Sequence, residues 1–414
     1  MKTIIRLPEL LAPAGGMPQL EAAVRFGADA VYVGMQRYGL RAYAGNFDAA
    51  ALKEAVKRCH DAGKKLYVTL NIFAFDSDME GLLQSAQTAW EAGADAAIVA
   101  DIGVLTLLHE YLPHWELHIS TQANTTNTRT ASVYHSLGAK RVVLSREMSL
   151  EQIVQMRGRL PEDLEIETFV HGAVCMSYSG RCLLSSYMMG RSGNRGACAQ
   201  PCRWIYEEKR PDDVFALEED ERGSYLLSAR DLCMIDYIPQ LCQSGIASLK
   251  IEGRMKTEYY VATVVGAYRR ALDAYGEDPE GYAADVELHQ ALQTELCKAS
   301  HRSFDTGFYF GKPQMGGGAG GFEQDAEFVA RVVCVQAERM ILEVKNRFFE
   351  SDILEALTPG RVIPFVAGPI RLEETGETLS CINRPRAIVS IGAVSGVHAG
   401  DLLRGPCRNH QKIK

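Results

Sequence analysis

Short apolar, β-branched runs alternate with Ala- and Leu-rich stretches of helical period along most of the chain. Each apolar run closes on a polar residue or a glycine, which is typical of strands in a sheet covered by helices. The pattern predicts eight strands, at 8–15, 29–35, 65–73, 95–101, 116–124, 141–147, 165–172 and 247–253. It predicts helices between and after them, including 18–27, 48–62, 79–92, 149–158 and 257–275. Because short connections of this kind form right-handed crossovers, we predict an α/β fold, a TIM-like (β/α)8 barrel.

One connection is far longer than the others, since residues 173–246 separate the seventh predicted strand from the eighth. An insertion at the carboxyl end of a barrel strand opens onto the face that carries the active site in this fold. The alternative fold, an open doubly wound sheet, needs a glycine-rich phosphate loop after its first strand. The segment APAGG at 12–16 lacks that spacing, so the barrel is favoured.

The pattern changes towards the end of the chain. After a predicted helix at 283–297, the glycine-rich segment 315–321 has the composition of a linker. Beyond it, apolar and polar residues alternate with period two, and Pro and Gly interrupt the runs, which is typical of strands. We therefore predict a barrel domain over 1–314, which contains the Cys-rich insertion, and a small all-β barrel over 322–414.

Charge and composition narrow the function. The 414 residues carry a net charge of −8, which argues against a globally basic nucleic-acid-binding protein. Basic residues are concentrated at 189–210 and in the tail RGPCRNHQKIK, where they could meet phosphate or form solvated surface. The start MKTIIRLPELLAPAGG does not resemble a signal peptide, and no apolar run approaches the roughly 20 residues of a membrane span. We expect a cytoplasmic protein without membrane association.

Cysteine spacing is the strongest chemical signal. Four of the eleven cysteines lie within 28 positions, namely Cys175, Cys182, Cys198 and Cys202, and Cys233 follows them. Because the cytosol keeps thiols reduced, metal binding or redox chemistry is favoured over disulfides. Structural zinc sites usually present paired C-x2–4-C knuckles, and only CAQPC has that spacing. Thiolates from separate loops favour a cubane iron–sulfur cluster, and packing in the core is the alternative.

Polar residues close several predicted strands, and in a barrel such side chains point into one pocket. We expect Arg146, Lys250 and Arg254 to bind a carboxylate or phosphate, although salt bridges to neighbouring carboxylates would use the same groups. The candidate catalytic residues are His171, Glu252 and Asp101, and the further candidate substrate contacts are Asn71 and Gln122. A lone histidine is also often a core residue bonded to a carbonyl. Neither an H-E-x-x-H motif nor a G-x-S-x-G elbow is present.

The segment ETFVHGAVCMSYSGRC at 167–182 closely resembles the signature of the collagenase-like peptidase family. The resemblance extends through NRGACAQPCRW, LLSARDLC, SLKIEGRMKTEYYVATVVGAYRRALD and TGFYFG, and so spans nearly the whole chain. The resemblance implies a hydroxylating enzyme, because one branch of the family acts in 5-hydroxyuridine formation at the wobble position of tRNA. Relatives act on rRNA cytidine or in oxygen-independent ubiquinone synthesis. The chain length, the C-terminal β-domain and NRGACAQPCRW resemble the tRNA branch most.

The resemblance also implies a cofactor and partners. Quinone-hydroxylating relatives bind a 4Fe–4S cluster through a cysteine pattern that falls on Cys175, Cys182, Cys198 and Cys233, and Cys202 is a fifth candidate. Prephenate is associated with the tRNA branch as a hydroxyl source, and we expect such a dicarboxylate at the strand-end basic residues. The expected partner is the tRNA anticodon loop, and a further subunit or a homo-oligomer is compatible with the sequence. The alternatives are a peptidase, a hydroxylase of rRNA cytidine or a quinone precursor, and a zinc-stabilised RNA-binding protein.

Overall fold

The computed structural model describes residues 6–41, 44–175, 177–203, 219–220, 223–224, 230–313 and 322–408. Eight parallel strands, numbered here barrel strands 1 to 8, are Glu9–Pro13, Ala30–Gly34, Lys65–Leu70, Ala96–Val99, Glu116–Ile119, Arg141–Val143, Glu165–Ala173 and Ser248–Ile251. Strand 8 pairs with strand 1 on one side and with strand 7 on the other, which closes the barrel. The predicted TIM-like barrel is confirmed, and each of its strands lies at a predicted position.

Helices connect the barrel strands and pack against their outer faces. They are Met17–Arg25, Ala49–Asp61, Asp76–Glu91, Ile102–Tyr111, Thr128–Ser136, Leu150–Arg157, Ile238–Gln243 and Glu258–Glu277. The predicted helix 283–297 is two helices, Pro279–Ala284 and Val286–Cys297, because Asp285 leaves the helical conformation and caps the second one through Leu288 N. No helix within the described ranges has the length and apolar character needed to cross a bilayer.

The barrel strands are buried on both faces, because alternate residues point to opposite sides of a sheet. On the outer face, residues such as Leu10, Val31 and Val68 join the core shared with the helices. The inner face has its own apolar cluster, formed by Leu11, Ala30, Tyr32, Tyr67, Ala96 and Ile98. This two-sided burial explains why the strands read as continuous apolar runs in the sequence.

Charged residues fill the rest of the barrel lumen. Arg141 of strand 6 lies 2.6 Å from Glu9 of strand 1 and 3.1 Å from Glu167 of strand 7, measured from Nη1 to the carboxylate oxygens. Lys250 of strand 8 lies 2.7 Å from the other Glu167 oxygen. Burial alone would raise the pKa of the Glu167 carboxyl, but Lys250 and Arg141 outweigh burial and lower that pKa to about 2. The network therefore joins four strands across the interior through buried ion pairs.

Strand 7 continues past the barrel and carries an extra strand. Asp231–Cys233 pairs antiparallel with the last residues of strand 7, and Phe304–Asp305 pairs with it in parallel. The insertion predicted at 173–246 therefore leaves strand 7 and returns to it. A short pair, Glu219–Asp220 with Gly223–Ser224, also belongs to the insertion. Residues 204–218, 221–222 and 225–229 lie outside the described ranges.

The C-terminal domain is an antiparallel all-β structure with a core of its own, so the predicted all-β class is confirmed. Its eight-stranded sheet contains Ala326–Gln336, Arg339–Val344, Ile353–Thr358, Arg361–Val366, Ile370–Leu372, Thr378–Leu379, Ile388–Gly392 and Leu402–Pro406. A ribbon of Phe348–Phe349 with Cys381–Ile382 adds to the same core. The predicted linker 315–321 lies outside the described residues.

Charged side chains join the two domains. Arg404 of the C-terminal domain is almost fully buried and donates to both carboxylate oxygens of Glu295, at 2.6 and 2.7 Å. Arg331 contacts Glu21 in the helix after strand 1, and lies 3.7 Å from Glu258 in the helix after strand 8. The C-terminal domain therefore binds the two helices that flank the junction between the first and last barrel strands.

The lumen network predicts an acid-sensitive contribution to stability. Because the pKa of Glu167 is lowered from 4.5 in the reference state to about 2, its contribution is present above pH 4.5 and is lost as the pH falls towards 2. We expect Glu167→Gln to lower the free energy of unfolding by about 3–5 kcal/mol at pH 7, since Lys250 loses its buried carboxylate partner and Arg141 keeps only Glu9 and Glu165. Urea unfolding of both proteins at pH 7 and pH 3 should show a smaller difference at pH 3.

The control is Glu54→Gln, which removes a half-exposed carboxylate from an ion pair with Arg58. Exposed pairs contribute little, so this variant should match the wild-type protein at both pH values. A loss in Glu167→Gln that is the same at pH 7 and pH 3 would contradict an ionised Glu167.

Candidate active site

One pocket opens at the carboxyl ends of the barrel strands and encloses about 170 Å³. Its lining includes the sequence-predicted residues Asn71, Gln122, Arg146, Lys250, Glu252, Arg254, Cys175, Cys182, Cys198 and Cys202. The predicted residues His171, Asp101 and Cys233 are not part of that lining. The strand ends and the Cys-rich insertion therefore form one cavity at the face where barrel enzymes carry their active sites.

A carboxylate between two arginines forms the charged centre of the pocket. Glu252 lies 3.2 Å from Arg146 and 3.7 Å from Arg41, measured between carboxylate oxygen and guanidinium nitrogen. Burial would raise the pKa of Glu252, but Arg41, Arg146 and Arg254 outweigh burial, so the pKa is lowered. Glu252 is therefore a carboxylate at neutral pH and serves as a counter-charge to the arginines, not as a proton donor.

Arg41 is a pocket residue that sequence reasoning missed. It lies in the loop after strand 2, and three residues of that loop, Tyr38, Arg41 and Asn46, have positive φ although none is glycine. Such backbone strain persists only where the surrounding structure enforces it, and it is frequent at ligand sites. The Arg41 side chain is 38% exposed and lines the pocket beside Glu252. No motif or strand-end position in the sequence signals this residue.

Arg254, predicted to bind an anion, is held by the protein itself. Its Nη1 donates to the carbonyl of Leu40 at 2.8 Å and to the Thr69 hydroxyl at 2.9 Å, and its Nη2 contacts the side-chain oxygen of Asn46. Burial lowers the pKa of Arg254 to about 10. The structure therefore assigns Arg254 a positioning role, because it fixes the loop that carries Arg41.

Lys250, the other predicted anion ligand, is also paired within the protein. Its ammonium group lies 2.7 Å from Glu167, 4.5 Å from the centre of the Tyr32 ring and 5.5 Å from that of Phe169. A buried carboxylate therefore balances its charge, and aromatic rings surround its head. The salt-bridge alternative describes Lys250 better than the prediction of a ligand clamp.

Four cysteines line the wall that the insertion contributes, namely Cys175, Cys182, Cys198 and Cys202, and all four are reduced. Cys233 lies elsewhere, on the strand that pairs beside His171 at the extended end of strand 7. Burial raises the pKa of the Cys233 thiol to about 12. The pocket thus brings Cys202, and not Cys233, to the other three cysteines.

Four cysteine thiols are the donor set of a 4Fe–4S cluster and also of a structural zinc site. Within the described ranges, no three Cys, His, Asp or Glu side chains converge as the ligands of a mononuclear site do. A 4Fe–4S cluster takes four cysteine thiolates, one at each iron, so its ligands surround a volume and do not meet at a point. Four thiols around one pocket match such a cluster in number and in kind.

The motif YSGRC has a structural reason. The backbone N–H of Ser179 donates to Glu147 at 3.0 Å, which fastens the insertion to the end of strand 6. Gly180 follows with φ of +73°, and a Cβ there would lie 2.1 Å from the carbonyl oxygen of Gln122. Only glycine fits this turn, and the turn sets the direction in which Cys182 enters the pocket wall.

The motif NRGAC anchors the other side of the insertion. Arg195 donates to the carbonyl of Phe73 at 2.9 Å and to Asp78 at 2.8 Å, both beyond strand 3. Asn194 donates to the carbonyl of Cys182 at 3.2 Å. These contacts connect Cys182 to the barrel, and Cys198 follows the same anchored turn.

Two predicted catalytic residues have structural roles. His171 is buried against Tyr260, Tyr268 and Phe304, and burial lowers its pKa to about 3, so it is neutral. Its side chain belongs to the core behind strand 7. This position differs from the one expected of a general base, which would face the pocket. Asp101 caps the helix Ile102–Tyr111 by accepting from the backbone N–H of Gly103 and Val104.

Asn71 and Gln122 differ in what they offer to a ligand. Asn71 accepts from the backbone N–H of Leu40 at 3.2 Å and donates to Ser120 at 3.1 Å, so it holds the pocket loops. Gln122 keeps a buried side-chain oxygen that has no hydrogen-bond partner among the described residues. A buried open acceptor carries a free-energy cost, so Gln122 is suited to receive a donor from a bound molecule.

Known proteins resemble the chain along its length. The family model "Peptidase family U32" matches residues 15–317, and the model of its C-terminal domain matches residues 324–404. The tRNA hydroxylation protein P1 of Bacillus subtilis (strain 168) is 37% identical, with 97% of this chain and 96% of that protein covered. The tRNA hydroxylation protein P of Escherichia coli (strain K12) is 34% identical, with coverages of 86% and 88%.

A third relative, a 23S rRNA 5-hydroxycytidine synthase of Escherichia coli (strain K12), is 34% identical over 89% of this chain and 55% of its own. The first family model covers barrel strands 2 to 8, the insertion and the strand ends that form the pocket. The resemblance to collagenase-like peptidases noted in the sequence is therefore confirmed. The chain belongs to peptidase family U32.

Proposed function

We propose that this chain acts in tRNA modification in the cytoplasm, as an enzyme that hydroxylates wobble uridine to 5-hydroxyuridine. The observation that carries the proposal is the pocket in which four reduced thiols lie beside two arginines. The relatives support it, because two are named tRNA hydroxylation proteins and a third is named for making 5-hydroxycytidine in rRNA. All three names concern hydroxylation of RNA.

The proposed cofactor is a 4Fe–4S cluster held by Cys175, Cys182, Cys198 and Cys202. Such a cluster supplies one-electron redox chemistry when it is bound. Cys202 is preferred to Cys233 as the fourth ligand because it lines the pocket with the other three. The anchored turns at Gly180 and Arg195 would keep the thiols in place before the cluster binds, which is the usual task of residues around a metal site.

The proposed co-substrate is a dicarboxylate, prephenate, that serves as the hydroxyl donor. Replacing the C5–H of uridine by C5–OH is a two-electron oxidation. It balances if the C–OH bond of a donor beside the base breaks and the donor takes up the displaced hydrogen, so that the donor is reduced by two electrons. Arg41 and Arg146 are suited to bind one of its carboxylates, because together with Glu252 they leave a net positive charge in the pocket. Arg146 also keeps a buried Nε without a partner in the described part of the chain.

The proposed substrate fits the position of the pocket. A base inside a duplex cannot reach a barrel mouth, so a base-modifying enzyme must take its target out of the stack. The anticodon loop is single-stranded already, which lowers that cost. The open acceptor of Gln122 is suited to receive an N–H of the base that enters.

A peptidase, which the family name suggests, fits the pocket less well. Nucleophilic proteolysis usually pairs a serine or cysteine with a histidine. No histidine lines the pocket among the residues described. The Ser185 hydroxyl accepts from the backbone N–H of Ala199 at 2.9 Å, and the Ser179 hydroxyl donates to Glu147 at 3.4 Å, so both hydroxyls hold the insertion. Hydroxylation is therefore the better assignment.

The test is nucleoside mass spectrometry of bulk tRNA from a deletion strain complemented with wild type, Cys198→Ala or Cys59→Ala. Cys59 is buried in the barrel core far from the pocket and is the matched control. We expect 5-hydroxyuridine derivatives to disappear on deletion and to return with wild type and Cys59→Ala but not with Cys198→Ala. An unchanged tRNA profile together with loss of 5-hydroxycytidine from rRNA would reassign the substrate, and a change in neither would remove the RNA assignment.

The choice of the fourth thiol can be tested by iron content. Anaerobically purified Cys202→Ala should lose the visible absorbance and most of the iron of the wild-type protein, whereas Cys233→Ala should keep both, because only Cys202 lines the pocket. Zinc in place of iron in the wild-type protein would refute the cluster. The reverse result, with Cys233→Ala depleted and Cys202→Ala loaded, would restore the ligand set that the family pattern implies.

Arg41→Met should raise the KM for prephenate by about 10- to 100-fold in a tRNA hydroxylation assay, because a charge-assisted contact is lost. The matched control is Arg37→Met on the same loop, whose guanidinium packs over Tyr38 and is not part of the pocket lining. An equal effect of the two substitutions, or a fall in kcat with KM unchanged, would argue against co-substrate binding by Arg41.

A further inference from the structure

The insertion exposes an apolar surface beside the pocket. Twenty large hydrophobic side chains are exposed in the described part of the chain, and five of them lie between residues 178 and 189. These five are Tyr178, Leu183, Tyr187, Met188 and Met189, and Tyr187 is 90% exposed. Soluble proteins seldom concentrate exposed apolar groups in this way without a binding role. We call these five residues the rim patch.

The rim patch is continuous with the pocket. Tyr178 lines the pocket directly, and the helix Leu184–Met189 begins at the pocket wall with Leu184. Ser185 of that helix is buried and holds the backbone of Ala199, so the helix is fixed to the wall. Tyr187 projects to solvent from a rigid support. A polymer with one unit in the pocket would therefore have its next units beside the rim patch.

The charge of the same segment indicates what it binds. Residues 177–203 contain four arginines, at 181, 191, 195 and 203, and no aspartate or glutamate. The whole chain is acidic, with a net charge of −8, so this segment differs in sign from the rest of the molecule. Arginines interleaved with exposed aromatic side chains are typical of surfaces that bind single-stranded nucleic acid, where bases stack on rings and phosphates meet the cations.

We propose that the rim patch is a stacking platform for single-stranded RNA, with Tyr187 stacking on a nucleotide next to the one that enters the pocket. The inference rests on the proposed function, and it adds a binding position for the RNA that flanks the modified nucleotide. Charge favours RNA over a protein partner. Asp78 balances Arg195, but the segment has no carboxylate of its own and Arg181 is exposed within it, which suits a polyanion. Stacking on a tyrosine ring tolerates any base, so the platform would orient the loop without reading its sequence.

The test measures binding of a fluorescein-labelled anticodon stem-loop RNA to the full-length protein by fluorescence anisotropy. We expect Tyr187→Ala to weaken binding by roughly 5- to 100-fold, the range for loss of one stacked base. Tyr187→Phe keeps the ring and should bind like wild type. The control is Tyr111→Ala, since Tyr111 is 56% exposed and ends a barrel helix, which places it at the face opposite the pocket.

A blunt-ended RNA duplex with the same stem sequence separates stacking from charge. Wild type and Tyr187→Ala should bind this duplex equally, because its paired bases are not available to a ring. Equal affinity of wild type and Tyr187→Ala for the stem-loop would overturn the platform while leaving the proposed function intact. Loss of a co-purifying subunit from Tyr187→Ala with unchanged RNA affinity would assign the patch to a protein and overturn the proposal. A wild-type protein that binds neither RNA would overturn both the platform and the proposed function.

Discussion

The pairing of Glu167 with Arg141 and Lys250 in the barrel lumen is the interaction on which the rest of the structure depends. A charge is costly to bury without a partner, so the pairing of these three side chains stabilises the closed barrel. Their contacts fix the register of strands 6, 7 and 8 relative to one another. Because register decides which residue ends each strand, the same contacts determine where Arg146 and Glu252 meet at the pocket.

The sequence predicts the barrel well because strands buried on both faces give continuous apolar runs, whereas helices buried on one face give apolar residues at helical spacing. The partners of the strand-end charges are less predictable. Arg146 and Arg254 have similar positions in the sequence, yet the structure turns the Arg254 side chain across Gly34, where a Cβ would lie 1.9 Å from its Nη2. That contact joins residues more than two hundred positions apart. No local pattern carries information about it, and the same holds for the strained loop that places Arg41.

The cysteine cluster illustrates the same limit. Spacing along the chain shows that several thiols are close in sequence, and four of them do share the pocket. It does not show that Cys233 returns on an antiparallel strand beside His171. That strand has only three residues, which is too few for an alternating pattern to be recognised in the sequence. The capping role of Asp101 is hidden for a related reason, since a residue that ends a strand also begins the next helix and can turn its side chain to cap it.

The position of the C-terminal domain has a consequence for the barrel as a whole. A closed barrel made from one chain has a single seam, where its last strand meets its first, and separation there would open the lumen. Arg331 of the C-terminal domain contacts Glu21 on one side of the seam and Glu258 on the other. The domain thus resists opening of the barrel, and it influences the rigidity of a pocket to which its described residues contribute no side chain.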